Sequence, residues 1–142
     1  MAGSKQQSQV QLIIDSNKAP EGVVFEIANR DKNYLDWALK EADILSQKLR
    51  DKYPQIEIAI VSHGSEQFSL MHNRLSKNIS LNSVVKSLVE SNVDIHVCGT
   101  YAEYKGVDAS EFSELVNVAA EGPAQIEDYL KLGFIKIIMV KN

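Results

Sequence analysis

One cysteine, Cys98, is all that this chain carries in 142 residues. An intramolecular disulfide is therefore excluded, and so is any CxxC redox or zinc motif. Such sparing use of cysteine fits a reducing compartment, and the expected location is the cytoplasm. No apolar run approaches the roughly 20 residues needed to span a bilayer. A basic nucleic-acid footprint is also missing: net charge is −4, and 15 Lys and Arg are scattered among 19 Asp and Glu. Neither nucleic acid nor membrane is expected as a partner. No Walker A or G-x-G-x-x-G sequence is present, so the standard nucleotide signatures do not apply. No G-x-S-x-G elbow offers a serine nucleophile. Met1 to Ser8 is small and polar, without the apolar centre of a signal peptide. Met-Ala-Gly-Ser at the start has the character of an expression scar, so an exported native form stays open.

What the chain does contain is a globular composition, 44% apolar and 24% charged, in a length that suits one compact domain. Residues 1–9 are Gln/Ser-rich and read as a disordered segment ahead of a single domain over 10–142. Val10 to Ile14 reads as a short strand, Val23 to Ala28 as an apolar strand interrupted by Glu26. A helix is predicted over Tyr34 to Lys52, because Leu35, Ala38, Ala42, Leu45 and Leu49 recur on one face. Pro54 stops it. Ile56 to Val61 is the next strand, followed by the turn Ser62-His63-Gly64-Ser65 and a short helix over Glu66 to His72. Ser80 is the expected cap of a helix bearing Leu81, Val84, Val85 and Leu88. Val93 to Cys98, Val116 to Ala119 and Phe134 to Val140 supply further strands, with a helix opened by Gly122-Pro123 between the last two. Strands alternate with helices, and several strands are apolar on both sides. That pattern predicts an α/β fold: one three-layer domain with a mostly parallel sheet of about five strands and helices on both faces.

Sites in open α/β sheets lie beyond the C-terminal strand ends. The loops there hold Asn29, His63, Cys98-Gly99-Thr100 and Glu121. Cys98 is the strongest nucleophile among them. Thr100 and Glu103 have the spacing of a capping box, which would set the sulfur just ahead of a helix N-terminus and favour an anion there. Thiolate is the reactive form of cysteine, so at least partial exposure of Cys98 is expected. A helix end contributes only about 0.3–1 kcal/mol in the usual case, and burial or Glu103 opposes it. The competing reading is a small buried apolar residue. His63 reads either as a turn residue or as a partner of Cys98. His96 lies on the same strand face as Cys98, yet no further ligands complete a zinc site. No cofactor or metal is expected.

The segment Val97-Cys98-Gly99-Thr100-Tyr101-Ala102-Glu103-Tyr104-Lys105-Gly106-Val107 resembles the cysteine-containing loop of the DsrE/DsrF-like family, which includes the Tus-type sulfur-relay proteins. Val23 to Asn29, the strand running into Ser62-His63-Gly64, Gly122-Pro123-Ala124, Tyr129 and Leu132-Gly133-Phe134 are similar in order and spacing. The likeness covers about Val23 to Val140. It implies a flavodoxin-like α/β subunit that often forms homo- or hetero-oligomers, here expected as a homo-oligomer, and a loop cysteine that carries persulfide sulfur, a role that maps onto Cys98. Substrate contacts are then expected from Gly99, Thr100, His63, Asn29 and Lys105, the last standing where the family often has Arg. A chain with one cysteine cannot resolve a persulfide by itself, so donor and acceptor proteins or thiols are implied. The function expected on this basis is that of a sulfur carrier or sulfurtransferase subunit. The alternatives are a non-catalytic oligomeric module binding a small ligand or protein at the same loops, and a thiol redox sensor.

Overall fold

The structure, a computed structural model, describes residues 4–141. Its strands are β1 (Gly22–Ile27), β2 (Glu57–Ser62), β3 (Val93–Cys98), β4 (Asn117–Ala119) and β5 (Phe134–Ile138). They form one five-stranded sheet in the order β4-β3-β2-β1-β5, and every pairing is parallel. The helices are α1 (Lys5–Asp15), α2 (Tyr34–Lys52), α3 (His72–Leu75), α4 (Ile79–Glu90), α5 (Gly99–Tyr104) and α6 (Gly122–Lys131).

Side-chain alternation along the strands divides the interior in two. Val23, Phe25, Ile27, Ile58, Ile60, Val93, Ile95 and Val97 point into the larger core with residues of α1, α2 and α4. Val24, Ala59 and Val61 point the other way and meet Ile126 of α6 and Phe134. The fold is thus a three-layer α/β arrangement, as the sequence pattern predicts. The predicted stripe of α2 is buried in full: Leu35, Ala38, Ala42, Leu45 and Leu49.

The chain steps outward from β1 through β4, then returns across the sheet to lay β5 beside β1. The step after β3 enters α5, whose Ala102 belongs to the larger core. The step after β4 enters α6, which covers the smaller core. At the ends of β3 and β4 the chain therefore departs toward opposite faces. Such a divergence opens a crevice at the C-terminal edge of an α/β sheet, and Cys98 stands on its rim.

Several local expectations are corrected. The stretch read as a disordered segment over 1–9 and a strand over Val10 to Ile14 is helical from Lys5 to Asp15; residues 1–3 lie outside the described residues. Ser4 and Gln7 close a capping box at its start, and Gln6, Val10 and Ile13 are buried. Gln6 Nε2 donates to the Val140 carbonyl at 3.0 Å, tying the helix to the end of the chain. Asn78, not Ser80, caps α4, accepting from the Leu81 N–H at 3.0 Å. Asp108 and Glu111 close a second capping box, which caps a single 3₁₀ turn, Ala109–Glu111. Gly106 follows the C-cap of α5 in the left-handed conformation, with φ 76°.

Candidate functional site

Three polar side chains gather at the C-terminal ends of three adjacent strands. Glu26 of β1 shares a sheet face with Val24, on the α6 side. Ser62 pairs with Ile27 on one flank and Val97 on the other. His63 and Cys98 therefore follow directly from paired residues, and parity sends both toward the α6 face. His63 Nε2 lies 2.8 Å from Glu26 Oε2, and its backbone N–H donates to the Ile27 carbonyl at 3.0 Å. Lys136 Nζ approaches the other Glu26 oxygen at 3.7 Å with its side chain 38% exposed, a solvent-screened contact of small energetic weight.

The start of α6 closes over this cluster. A Cβ added to Gly122 would stand 2.6 Å from His63 Cβ and 3.2 Å from Cys98 Cβ. Glycine is what allows the helix to begin this close to both side chains. The same closeness explains why Cys98 is only 5% exposed, where the sequence predicts partial accessibility. Cys98 nonetheless forms part of the wall of a groove of about 520 Å³, with His63, Thr100, Tyr101, Tyr104, Glu121 and Pro123. The groove is bounded largely by aromatic and apolar side chains. Ser65 Oγ meets Tyr101 OH at 3.0 Å, which fastens one aromatic wall to the loop carrying His63.

A second layer holds the loop and the cysteine backbone. Gln67, fully buried, accepts from the Cys98 N–H at 2.7 Å and donates to its carbonyl at 3.3 Å. One side-chain amide thereby serves as a short extra strand partner at the point where β3 ends. Glu66 is equally buried. Its carboxylate accepts from the Asn29 N–H at 2.6 Å, Ser62 Oγ at 2.6 Å and the Gly64 N–H at 3.0 Å. Three donors compensate the burial of this charge.

The sequence-predicted site residues separate under this geometry. Cys98, His63 and Thr100 share the groove. Thr100 does not form the predicted cap with Glu103: Cys98 is itself the N-cap residue of α5. Both donors of Thr100, its N–H at 3.0 Å and its Oγ1 at 2.6 Å, go to the Ala120 carbonyl, so they tie α5 to the end of β4 rather than face the sulfur. Gly99 sits on the far side of Thr100, in a separate hollow with Val118, Ala119 and Asp108. Asn29 braces the loop through its backbone and accepts from the Asp31 N–H at 2.9 Å. Lys105 lies over the Tyr101 and Tyr104 rings at 5.8 and 5.7 Å, packed as a cation on an aromatic pair.

His96, the other histidine near Cys98, bonds Tyr129 OH through Nε2 at 2.7 Å. Burial lowers its pKa, with Asp94 opposing. Burial, then Asp94 and Glu57, push the Tyr129 phenol up to about 12. This pair fastens α6 to the sheet. Among the described residues no group of three or more His, Cys, Asp or Glu is placed to hold a metal, and no helix is long and apolar enough to cross a membrane. Glu26, Glu66 and Gln67 were not singled out by motif. The available signal was Glu26 itself, an acid interrupting an otherwise buried strand.

No family model matches the chain, and no curated protein matches it either. Solved structures do. A protein of unknown function, MTH1491 from Methanobacterium thermoautotrophicum, superposes with a TM-score of 0.67 at 20% identity, over 82% of this chain and 97% of that one. The conserved protein of unknown function BT1422 from Bacteroides thetaiotaomicron gives 0.58 at 17% identity, over 84% and 95%. The ychN protein from E. coli gives 0.60 at 11% identity, over 82% and 99%. At these identities the likeness shows a shared fold.

Proposed function

We propose that the chain is a sulfur carrier, with Cys98 holding sulfane sulfur as a persulfide and passing it to an acceptor thiol. The observation that carries this reading is the position of the cysteine: on the wall of an apolar groove, at the crevice between β3 and β4, beside His63. The resemblance of the Cys98 loop to the DsrE/DsrF-like family supports it, and the fold shared with the solved neighbours is compatible with it. The exchange balances without any redox partner. The Cys98 thiolate attacks the outer sulfur of a donor R–S–SH, the donor S–S bond breaks, and R–S⁻ leaves and is protonated. Cys98 gains one sulfur, and the donor becomes a thiol. The reverse exchange with an acceptor thiol discharges it. Since Cys98 is the sole cysteine, both partners come from outside the chain.

The low exposure of Cys98, 5%, favours a second reading: the groove binds a ligand or protein segment, and the thiol is part of its apolar wall. One experiment separates the two. Intact mass is measured after incubation with a small persulfide donor, for the natural chain and for Cys98→Ser. The carrier gains the mass of one sulfur, and the folded serine variant gains none. Absence of any gain in the natural chain, with the thiol alkylated only after unfolding, leaves the binding reading in its place.

A further inference from the structure

Glu26, His63 and Cys98 lie at the C-terminal ends of three adjacent strands in the order acid, imidazole, thiol. A carboxylate oxygen only accepts, so the 2.8 Å contact between Glu26 Oε2 and His63 Nε2 puts the ring hydrogen on Nε2. In the neutral ring the other nitrogen, Nδ1, then carries the lone pair. Neighbouring strands of a sheet run about 4.7–4.9 Å apart, and His63 and Cys98 follow directly from the paired residues Ser62 and Val97. Their β-carbons stand 2.6 and 3.2 Å from a single point, the place a Gly122 Cβ would occupy. Both side chains border the same groove. His63 is held from two sides, by its backbone bond to Ile27 and by Glu26. It is part-exposed at 18%, so it can exchange protons with a molecule in the groove.

We infer that His63 handles the proton of the Cys98 exchange through Nδ1, and that Glu26 is its positioning residue. This step rests on the carrier reading for its substrate. Nδ1 takes the proton from Cys98 Sγ–H, and the thiolate attacks the outer sulfur of the donor. The donor S–S bond breaks with its electron pair on the departing R–S⁻. That sulfur takes the proton back from Nδ1, and His63 returns to its starting form. Glu26 takes no proton in the exchange; it fixes the tautomer and the ring plane, as an orienting group does for a base that serves a nucleophile. The arrangement also accounts for an acid in the middle of a sheet whose neighbours on that face, Val24 and Val61, are buried.

Two readouts test this on the full chain. Long-range proton–nitrogen spectra assign the His63 tautomer, and Cys98 alkylation by iodoacetamide reports proton removal without any sulfur donor. The neutral His63 ring is expected with its hydrogen on Nε2. General acid–base assistance amounts to about 10²–10⁴ in rate, so Glu26→Ala is expected to mix the tautomers and slow alkylation by at least about tenfold. Glu26→Gln, which keeps an acceptor oxygen, is expected to recover most of that rate. A hydrogen on Nδ1 in the natural chain, or Glu26→Ala alkylating as fast as the natural chain, overturns the assignment. A chain that shows the Glu26 dependence in alkylation but takes up no sulfur retains the His63–Glu26 assignment and loses the carrier function.

Discussion

Buried polar residues carry the most information about this chain, because each demands a partner and the partner reveals a role. His96 satisfies Tyr129 and takes no part in the groove. Its pKa is lowered by burial, so folding favours the neutral ring. The sign of the consequence follows from proton counting. Below about pH 6.5, the ordinary histidine value, the unfolded chain binds a proton that the native state resists. The stability supplied by neutral His96 is therefore complete above that pH and is lost as pH falls through the lowered native value. Urea midpoints measured from pH 7.5 down to pH 5 are expected to drop, and His96→Gln is expected to flatten that portion of the profile. An unchanged acid slope in the variant would assign the titration elsewhere. Glu26 and Gln67 show the limit of reading residues singly. Each is an ordinary polar letter in the sequence, and its meaning comes from tertiary placement: Glu26 against the His63 ring, Gln67 against the Cys98 backbone.

Elements were legible where a long period or a strong breaker marked them. The α2 stripe, Leu35 to Leu49, spans about four turns and ends before Pro54, and the strands Val23, Ile58, Ile95 and Ile137 belong to are short apolar runs between breakers. The N-terminal helix was not, and the reason is physical. Val10 to Ile14 is a five-residue stretch with four apolar residues around Gln11, too short for periodicity to decide between strand and helix. The deciding signal sat upstream in the Ser4-x-x-Gln7 capping pattern, whose reciprocal bonds the structure makes. Helix α1 then covers the edge of the larger core through Val10 and Ile13, and Tyr53 OH donates to the Ile13 carbonyl at 2.8 Å. Full burial of one such side chain contributes about 1.5–3 kcal/mol. Removing residues 1–16 is therefore expected to lower the thermal midpoint measurably, while the far-ultraviolet spectrum of the α/β core persists. Equal midpoints for the two chains would mean that α1 adds nothing to stability. The start of α5 failed for another reason: Thr100 has a cap's spacing, but the nearby Ala120 carbonyl at the end of β4 takes both of its donors.

At the scale of the molecule, topology places the site. Strand β3 feeds a helix on one face and β4 feeds a helix on the other, and the crevice between them holds Cys98 with the His63–Glu26 pair on the adjoining strands. The three-layer class and the location of the cysteine loop were readable from the alternation of elements. The order of strands was not, since returning β5 to the side of β1 is a long-range pairing that leaves no local pattern. A carrier must also discharge, and that is the sharpest demand on the whole account. Cys98 is loaded from an isotope-labelled persulfide donor, the excess is removed, and a small acceptor thiol is added while protein and acceptor masses are followed together. The account predicts that the labelled sulfur leaves Cys98 and appears one-for-one on the acceptor, with the protein returning to its starting mass and fold. A chain that never takes up the label, or that keeps it in the presence of excess thiol, would contradict the claim that this protein carries sulfur.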